Sequence, residues 1–152
     1  MSRNSFYVYI AGPFFNPEQT EIIEKIKATL DVNDSDTTYF SPKDDCLYEP
    51  GKTTPADVLS ANITAMVKAD LMIVVTDGKD PGTMFEAGWA YANNLPIIYV
   101  WLGGKEGDKF NIVLASTGAV TRNFDSLRIA WHDFRDGVPL KLLYDYGKIE
   151  YE

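Results

Sequence analysis

The chain is predicted to be an α/β protein, doubly wound around one parallel sheet, and three observations predict this. Short runs rich in β-branched and aromatic residues alternate with longer segments of helical periodicity. The helical segments open on capping signals, Asn16-Pro17 and Thr54-Pro55. The most apolar run, Leu71-Met-Ile-Val-Val75, carries no polar alternation, as a strand covered on both faces requires.

In chain order, Phe6-Tyr-Val-Tyr-Ile10 reads as the first strand and ends in the turn Ala11-Gly12-Pro13. Asn16-Pro17-Glu18-Gln19 opens the first helix with a cap, a proline at the first helical position and a capping box. Ile22, Ile23, Ile26 and Leu30 form its apolar face. Residues 31–36 read as a polar loop, and Thr37-Thr-Tyr-Phe40 as a short second strand. A long connection from Ser41 to Thr54 follows, rich in Pro, Asp and Gly, and such loops are usually functional or mobile. The second helix starts at Thr54, with Leu59, Ile63, Met66 and Val67 as its apolar face. Leu71–Val75 is the third strand, and a helix is expected from Met84 to Asn93-Asn94, whose tolerance of left-handed backbone suits a helix end. Pro96 to Leu102 reads as the fourth strand, 103–108 as a loop, Phe110 to Ala119 as a short helix and Leu127-Arg-Ile-Ala-Trp131 as the fifth strand. Five such strands favour the flavodoxin-like order 2-1-3-4-5, with a switch point between strands one and three. Ligands bind at such points. There the loop Ala11–Asn16 meets the acidic turn that follows the third strand.

The 152 residues fit a single domain, 1–152, with no internal repeat or linker. Apolar residues make up 45% and charged residues 24%, an ordinary globular composition. A net charge of -8 argues against nucleic acid and anionic membrane as partners, since both require basic patches. One cysteine, Cys46, excludes an internal disulfide and suits a reducing compartment. One histidine, His132, makes a histidine-rich metal site improbable, so no metal is expected. No apolar run reaches about 18 residues, and no signal segment precedes the first strand, so a cytoplasmic protein is expected.

The turn Asp80-Pro-Gly-Thr-Met-Phe-Glu86-Ala-Gly88 carries the candidate chemistry. Glu86 lends itself to two readings. As part of Thr83-Met-Phe-Glu86 it closes a capping box on the Thr83 amide. As a carboxylate beside a switch-point pocket, held ionised by a helix N-terminus, it is a nucleophile or base. Asp80 is a turn former in one reading and the second carboxylate of an acid–nucleophile pair in the other. Tyr9 either packs in the core or aims its hydroxyl at that carboxylate. Phe15 either staples the first helix or forms a flat wall for an aromatic ligand. Asn62, one position from the apolar stripe of its helix, reads by itself as a solvated residue.

Three stretches together resemble the nucleoside 2-deoxyribosyltransferases in order and spacing. They are Tyr9-Ile-Ala-Gly-Pro-Phe-Phe15, Asn62 ahead of Ala69-Asp70-Leu71, and Asp80-Pro-Gly-Thr-Met-Phe-Glu86-Ala-Gly-Trp-Ala90. The resemblance implies that Glu86 attacks C1′ of a 2′-deoxyribonucleoside and that Asp80 is an acid near base and sugar. Tyr9 orients the nucleophile, Asn62 contacts the sugar hydroxyls, Phe15 lines the base site, and Gly82 lies in the substrate-binding turn. A base-reading group is expected from the loop after the second strand, with Asp44 or Asp45 as candidates. It also implies a homo-oligomer in which a neighbour completes each site, matched here by Asn123 and by Tyr151-Glu152. The tail 133–152, with Phe134, Tyr144, Tyr146 and Tyr151, is then expected to pack on its own domain or on that neighbour.

The implied reaction moves 2-deoxyribose from a deoxyribonucleoside to a free nucleobase by retaining double displacement, with no cofactor. Related nucleoside 5′-monophosphate N-glycosidases share the nucleophile but need phosphate donors, and Ala11 to Glu18 contains no Lys, Arg or Ser. Unphosphorylated nucleosides are therefore favoured. The alternatives are an N-glycosidase, in which water intercepts the sugar, and a non-catalytic nucleotide-binding domain with Glu86 as a helix cap.

Overall fold

The computed structural model describes residues 5–31, 36–103, 108–144 and 149–152. Strand β1 (Tyr7–Ala11) leads through the Gly12-Pro13 turn into α1 (Pro17–Asp31), and β2 (Thr38–Phe40) runs into a one-turn helix α2 (Pro42–Asp45). Helix α3 (Pro55–Lys68) precedes β3 (Leu71–Val75), and α4 (Pro81–Ala92) precedes β4 (Ile97–Val100). Then follow β5 (Lys109–Phe110), α5 (Ile112–Ala115), β6 (Ala119–Thr121), α6 (Phe124–Arg135), β7 (Leu143–Tyr144) and β8 (Glu150–Tyr151). The expected loops at 31–36 and 103–108 fall largely on residues outside those described, as does Tyr146.

The main sheet has the order β2-β1-β3-β4-β6-β7 and every pairing in it is parallel. Helices cover both faces, so the doubly wound α/β class holds. Alternation along β1 divides the core: Val8 and Ile10 face α1 and α6, while Tyr9 and Ala11 face α3 and α4. The switch point lies between β1 and β3, as the topology requires, with Val8 opposite Leu71 and Ala11 opposite Val74.

The sheet has six strands rather than the expected five. Leu127–Trp131 is not a strand but the centre of α6. Its apolar residues satisfy a two-residue period and a helical one equally. The decision lies upstream, where Asn123 and Ser126 form a reciprocal capping box. Leu127, Ala130 and Trp131 then face the core, whereas Ile129 is exposed. The Trp131 Nε1 donates to the Leu30 carbonyl at 3.2 Å and ties α6 to α1. The fifth position belongs to β6, and the tail supplies the sixth strand, β7, through Val120↔Leu143 and Thr121↔Tyr144. Its last residues pair with β5 as β8 in a small second sheet. The described part of the tail thus packs on its own chain.

Helix α3 carries the expected start, with Thr54 and Asp57 forming a capping box. Its inward face differs from expectation: Ala65 and Met66 are buried, while Leu59 and Val67 are exposed. Asn94 adopts the left-handed conformation at the end of α4, with φ 58°.

Candidate active site

Helix α4 begins one turn earlier than the sequence suggests, and this changes the environment of Glu86. Asp80 is the N-cap: its Oδ2 accepts from the Thr83 amide and from the Thr83 hydroxyl, each at 2.9 Å. Glu86 therefore lies in the second turn and caps nothing. Thr83, Glu86, Ala87 and Ala90 form the buried stripe of the helix, at the spacing that lays a helix face on a sheet. A carboxylate thus occupies a core position, with Glu86 only 8% exposed.

Directly beneath it stands Tyr9, on the face of β1 that packs against α4. The Tyr9 hydroxyl donates to Glu86 Oε2. Among the described residues Oε1 has no recorded partner. Phe40 stacks on the Tyr9 ring at 5.2 Å and holds it in place. Burial pushes the Glu86 carboxyl up to about 7 and the nearby Asp80 charge adds to the rise, whereas the Tyr9 hydrogen bond opposes it. The expectation that a helix N-terminus holds Glu86 ionised is thus corrected. Its distance from the helix end removes that effect, and desolvation dominates. Burial, and then the Glu86 charge, raise the Tyr9 hydroxyl, so Tyr9 remains a neutral donor.

Glu86 opens into a cavity of about 370 Å³, walled by Tyr48, Val58, Leu59, Met66 and Phe85 and floored at Gly82. Asn62 lines the same cavity, and its buried Oδ1 has no hydrogen-bond partner among the described residues. A buried orphan acceptor is rare and marks a place for an external donor. The cavity is apolar with a few convergent polar groups, the usual make-up of a small-molecule site.

The remaining candidates distribute unevenly. Asp80 is close enough to raise Glu86 but is not among the lining residues. Phe15 is 71% exposed and packs on Phe14, outside the cavity wall. Asp44 binds Lys27 at 2.6 Å and Lys43 at 2.8 Å, and the two ammonium groups lower its carboxyl. It faces α1, not the cavity. Asp45 accepts from the Ser41 amide at 2.9 Å. Asn123 caps α6, accepting from the Ser126 amide at 2.7 Å, and lines a separate cavity with Lys141 and Tyr144. Tyr151 is exposed on β8, while Glu152 donates its amide to the Phe110 carbonyl at 3.0 Å.

One further group fixes the turn. Asp77 accepts from the amides of Leu102 at 2.9 Å and Gly103 at 2.5 Å, binding the start of the β3–α4 connection to the end of β4. Sequence reasoning missed Thr83, Tyr48, Val58 and Phe85 as parts of the site. For Thr83 a signal existed: its spacing to Glu86, Ala87 and Ala90 is that of a buried helix face. Among the described residues no three His, Cys, Asp or Glu side chains converge as a metal site. No helix among them is long and apolar enough to cross a membrane.

Comparison with solved structures gives the same fold. A conserved protein from Enterococcus faecalis V583 aligns over 85% of this chain and 98% of its own, with TM-score 0.74 and 16% identity. The 2-deoxyribosyltransferase from Bacillus psychrosaccharolyticus aligns over 80% and 90%, with TM-score 0.65 and 24% identity. That from Leishmania mexicana aligns over 97% and 91%, with TM-score 0.52 and 18% identity. Comparison with curated protein sequences returns no significant match. The family model for nucleoside 2-deoxyribosyltransferase matches residues 8–116, a span that runs from Tyr9 through Asn62 and Asp80 to Glu86. With most of its length inside that match, the chain belongs to the nucleoside 2-deoxyribosyltransferase family.

Proposed function

We propose that the protein transfers 2-deoxyribose between nucleobases through a covalent deoxyribosyl-Glu86 intermediate. The observation that carries this reading is the buried Glu86–Tyr9 pair at a cavity that also holds the unpartnered Oδ1 of Asn62. Tyr9 occupies one carboxylate oxygen and fixes the plane of the group, leaving Oε1 for attack. Asn62 Oδ1 accepts a hydroxyl of the deoxyribose and sets the sugar against that oxygen.

In the first half-reaction Glu86 Oε1 forms a bond to C1′ as the N-glycosidic bond breaks. The bonding pair leaves with the base nitrogen, which takes a proton supplied by Asp80 or by a neighbouring subunit's tail carboxylate. In the second, a nitrogen of the incoming base attacks C1′ from the face the first base left. Glu86 departs as a carboxylate, and the new base loses a proton. Two inversions give net retention. A carboxyl near 7 suits both halves, being nucleophilic when ionised and a competent leaving group from the sugar. Tyr9 stabilises the carboxylate as it departs.

The substrates are a deoxyribonucleoside and a free nucleobase. Among the described residues, Glu86 is the one charged side chain that lines the cavity, which favours an unphosphorylated nucleoside. The rival in which Glu86 merely caps a helix loses its basis, because Asp80 is the cap. The N-glycosidase rival differs only in what intercepts the intermediate. Deoxyinosine turnover with and without free adenine separates the two.

The test of the mechanism is a 2′-fluoro-2′-deoxyarabinosyl nucleoside, whose fluorine slows breakdown of the intermediate. Intact-mass analysis should show one added sugar, and peptide mapping should place it on Glu86. Glu86→Ala should form no adduct and lose turnover by several orders of magnitude. An adduct elsewhere, inversion at C1′, or more than about a tenth of normal turnover in Glu86→Ala would each overturn the assignment.

A further inference from the structure

The acidic turn contains a side chain to which neither the motif nor the family match gives a role. Thr83 is 1% exposed, and its hydroxyl and amide both donate to one oxygen of Asp80, Oδ2, at 2.9 Å. The amide bond alone suffices for helix capping. The hydroxyl adds a second, converging donor to the same atom. Together they hold the carboxylate plane, and Asp80 Oδ1 is left with no recorded partner among the described residues. The same helix turn presents Thr83 and Glu86 on one buried face, so Asp80 is held at a set separation from Glu86.

We propose that Thr83 is a positioning residue, whose hydroxyl fixes Asp80 so that one carboxylate oxygen is anchored and the group is held in place beside Glu86. This deepens the reading of Glu86 as nucleophile and rests on it. Without the hydroxyl, Asp80 keeps its cap but gains rotational freedom. It then spends less time where it can give a proton to the departing base, and its influence on Glu86 weakens. The titratable groups around Glu86 are Tyr9 on β1, Asp80 on the turn and Tyr48 on the cavity wall, with Cys46 from the 41–54 loop and Tyr7 on β1 acting on Tyr9. Of these, Asp80 is the one that accepts hydrogen bonds from Thr83.

The test compares Thr83→Val, which is nearly isosteric but lacks the hydroxyl, with Thr83→Ser, which restores it. Thr83→Val should lower kcat about tenfold, the scale of one hydrogen bond to a charged group, with KM within about threefold. The acid limb of its rate profile should move to lower pH, because Asp80 no longer holds Glu86 up as firmly. Thr83→Ser should recover kcat to within about threefold of wild type. A Thr83→Val protein with unchanged kcat and unchanged pH profile overturns the proposal, as the hydroxyl would then serve only the helix start.

Where Thr83→Val folds poorly, Thr83→Ala, which also lacks the hydroxyl, replaces it throughout, and a cycle with Asp80→Asn decides. A positioning role through Asp80 predicts that Thr83→Val adds almost nothing to Asp80→Asn, and full additivity overturns it. A readout independent of turnover separates this proposal from the functional reading. In carbon-13 glutamate-labelled protein, Thr83→Val should shift the Glu86 titration midpoint downward even if no deoxyribosyl transfer is detected. An unmoved midpoint counts against Thr83, whereas absent transfer with a moved midpoint counts only against the functional reading.

Discussion

Glu86 is a titratable group at a position where a helix normally places alanine or leucine, and both its chemistry and its cost follow from that. Its carboxyl sits at about 7 rather than the ordinary 4.5, because the ionised form is desolvated. The folded state therefore holds a proton that the unfolded chain has already released, and stability falls as pH rises from about 4.5 to about 7. The full window is worth at most ~3 kcal/mol. Over the same window the attacking form appears, so kcat/KM should rise with a midpoint near 7 and then level off. Glu86→Gln should abolish the rate at every pH and raise the melting temperature more at pH 8 than at pH 4.5. An equal gain at both pH values would show that burial of the charge is not what raises the carboxyl. The motif singled out Glu86, Tyr9 and Asn62, and the fold brings Tyr9 onto Glu86 and sets Asn62 and Glu86 at one cavity. Their environment was not legible in the sequence, because burial depends on where the helix starts, and Pro81-Gly82 disguised a helical turn as a loop. Asp44 shows the opposite failure: besides the adjacent Lys43 it binds Lys27 on α1, which is distant in sequence, so its turn away from the cavity was not legible locally.

Asp80 caps helix α4, and the proposed proton transfer would give it a second task; the two separate by substitution. Serine caps a helix about as well as aspartate but carries no acid, whereas alanine does neither. Asp80→Ser should therefore melt near wild type, and Asp80→Ala should lose ~1 kcal/mol, roughly 3 °C in a chain of this size. Turnover should fall in both, and calorimetry beside a transfer assay reads the two effects apart. If turnover tracks melting temperature, Asp80 serves the helix alone. Helices α1 and α3 were legible because their starts are written locally, in Asn16-Pro17 and in Thr54 with Asp57, whereas α4 was legible only at its Asn94 end. Helix α6 was misread because its apolar residues fit both periods and its cap, Asn123 with Ser126, lies outside the ambiguous stretch. Strand β6 was missed because Ala119–Thr121 is too short to show any period and exists through its pairing with β4.

At the scale of the molecule the cavity is open to solvent: two of its aromatic walls, Tyr48 and Phe85, are exposed, and Asn123 lines a different cavity. Further apolar side chains stand exposed along the same helices, Leu59 and Val67 on α3 and Tyr91 on α4. We expect the working unit to be a homo-oligomer in which a neighbour covers this face, because scattered exposure is normal but exposure concentrated around a site is not. Light scattering at assay concentration should give a multiple of 17.0 kDa. A fully active monomer would return all substrate contacts to one chain. The doubly wound class and the switch point were legible because alternation and crossover handedness constrain topology without detailed contacts. The tail's destination was not, since β7 and β8 are defined by partners elsewhere in the chain. The Asp77 clamp on Leu102 and Gly103 bears on the kinetics of binding. A turn fastened to the neighbouring strand at one end and to its own helix at the other has few conformations left to lose. Its ordering entropy is expended during folding, so this wall of the cavity meets a ligand already in shape and adds no closing step of its own to association.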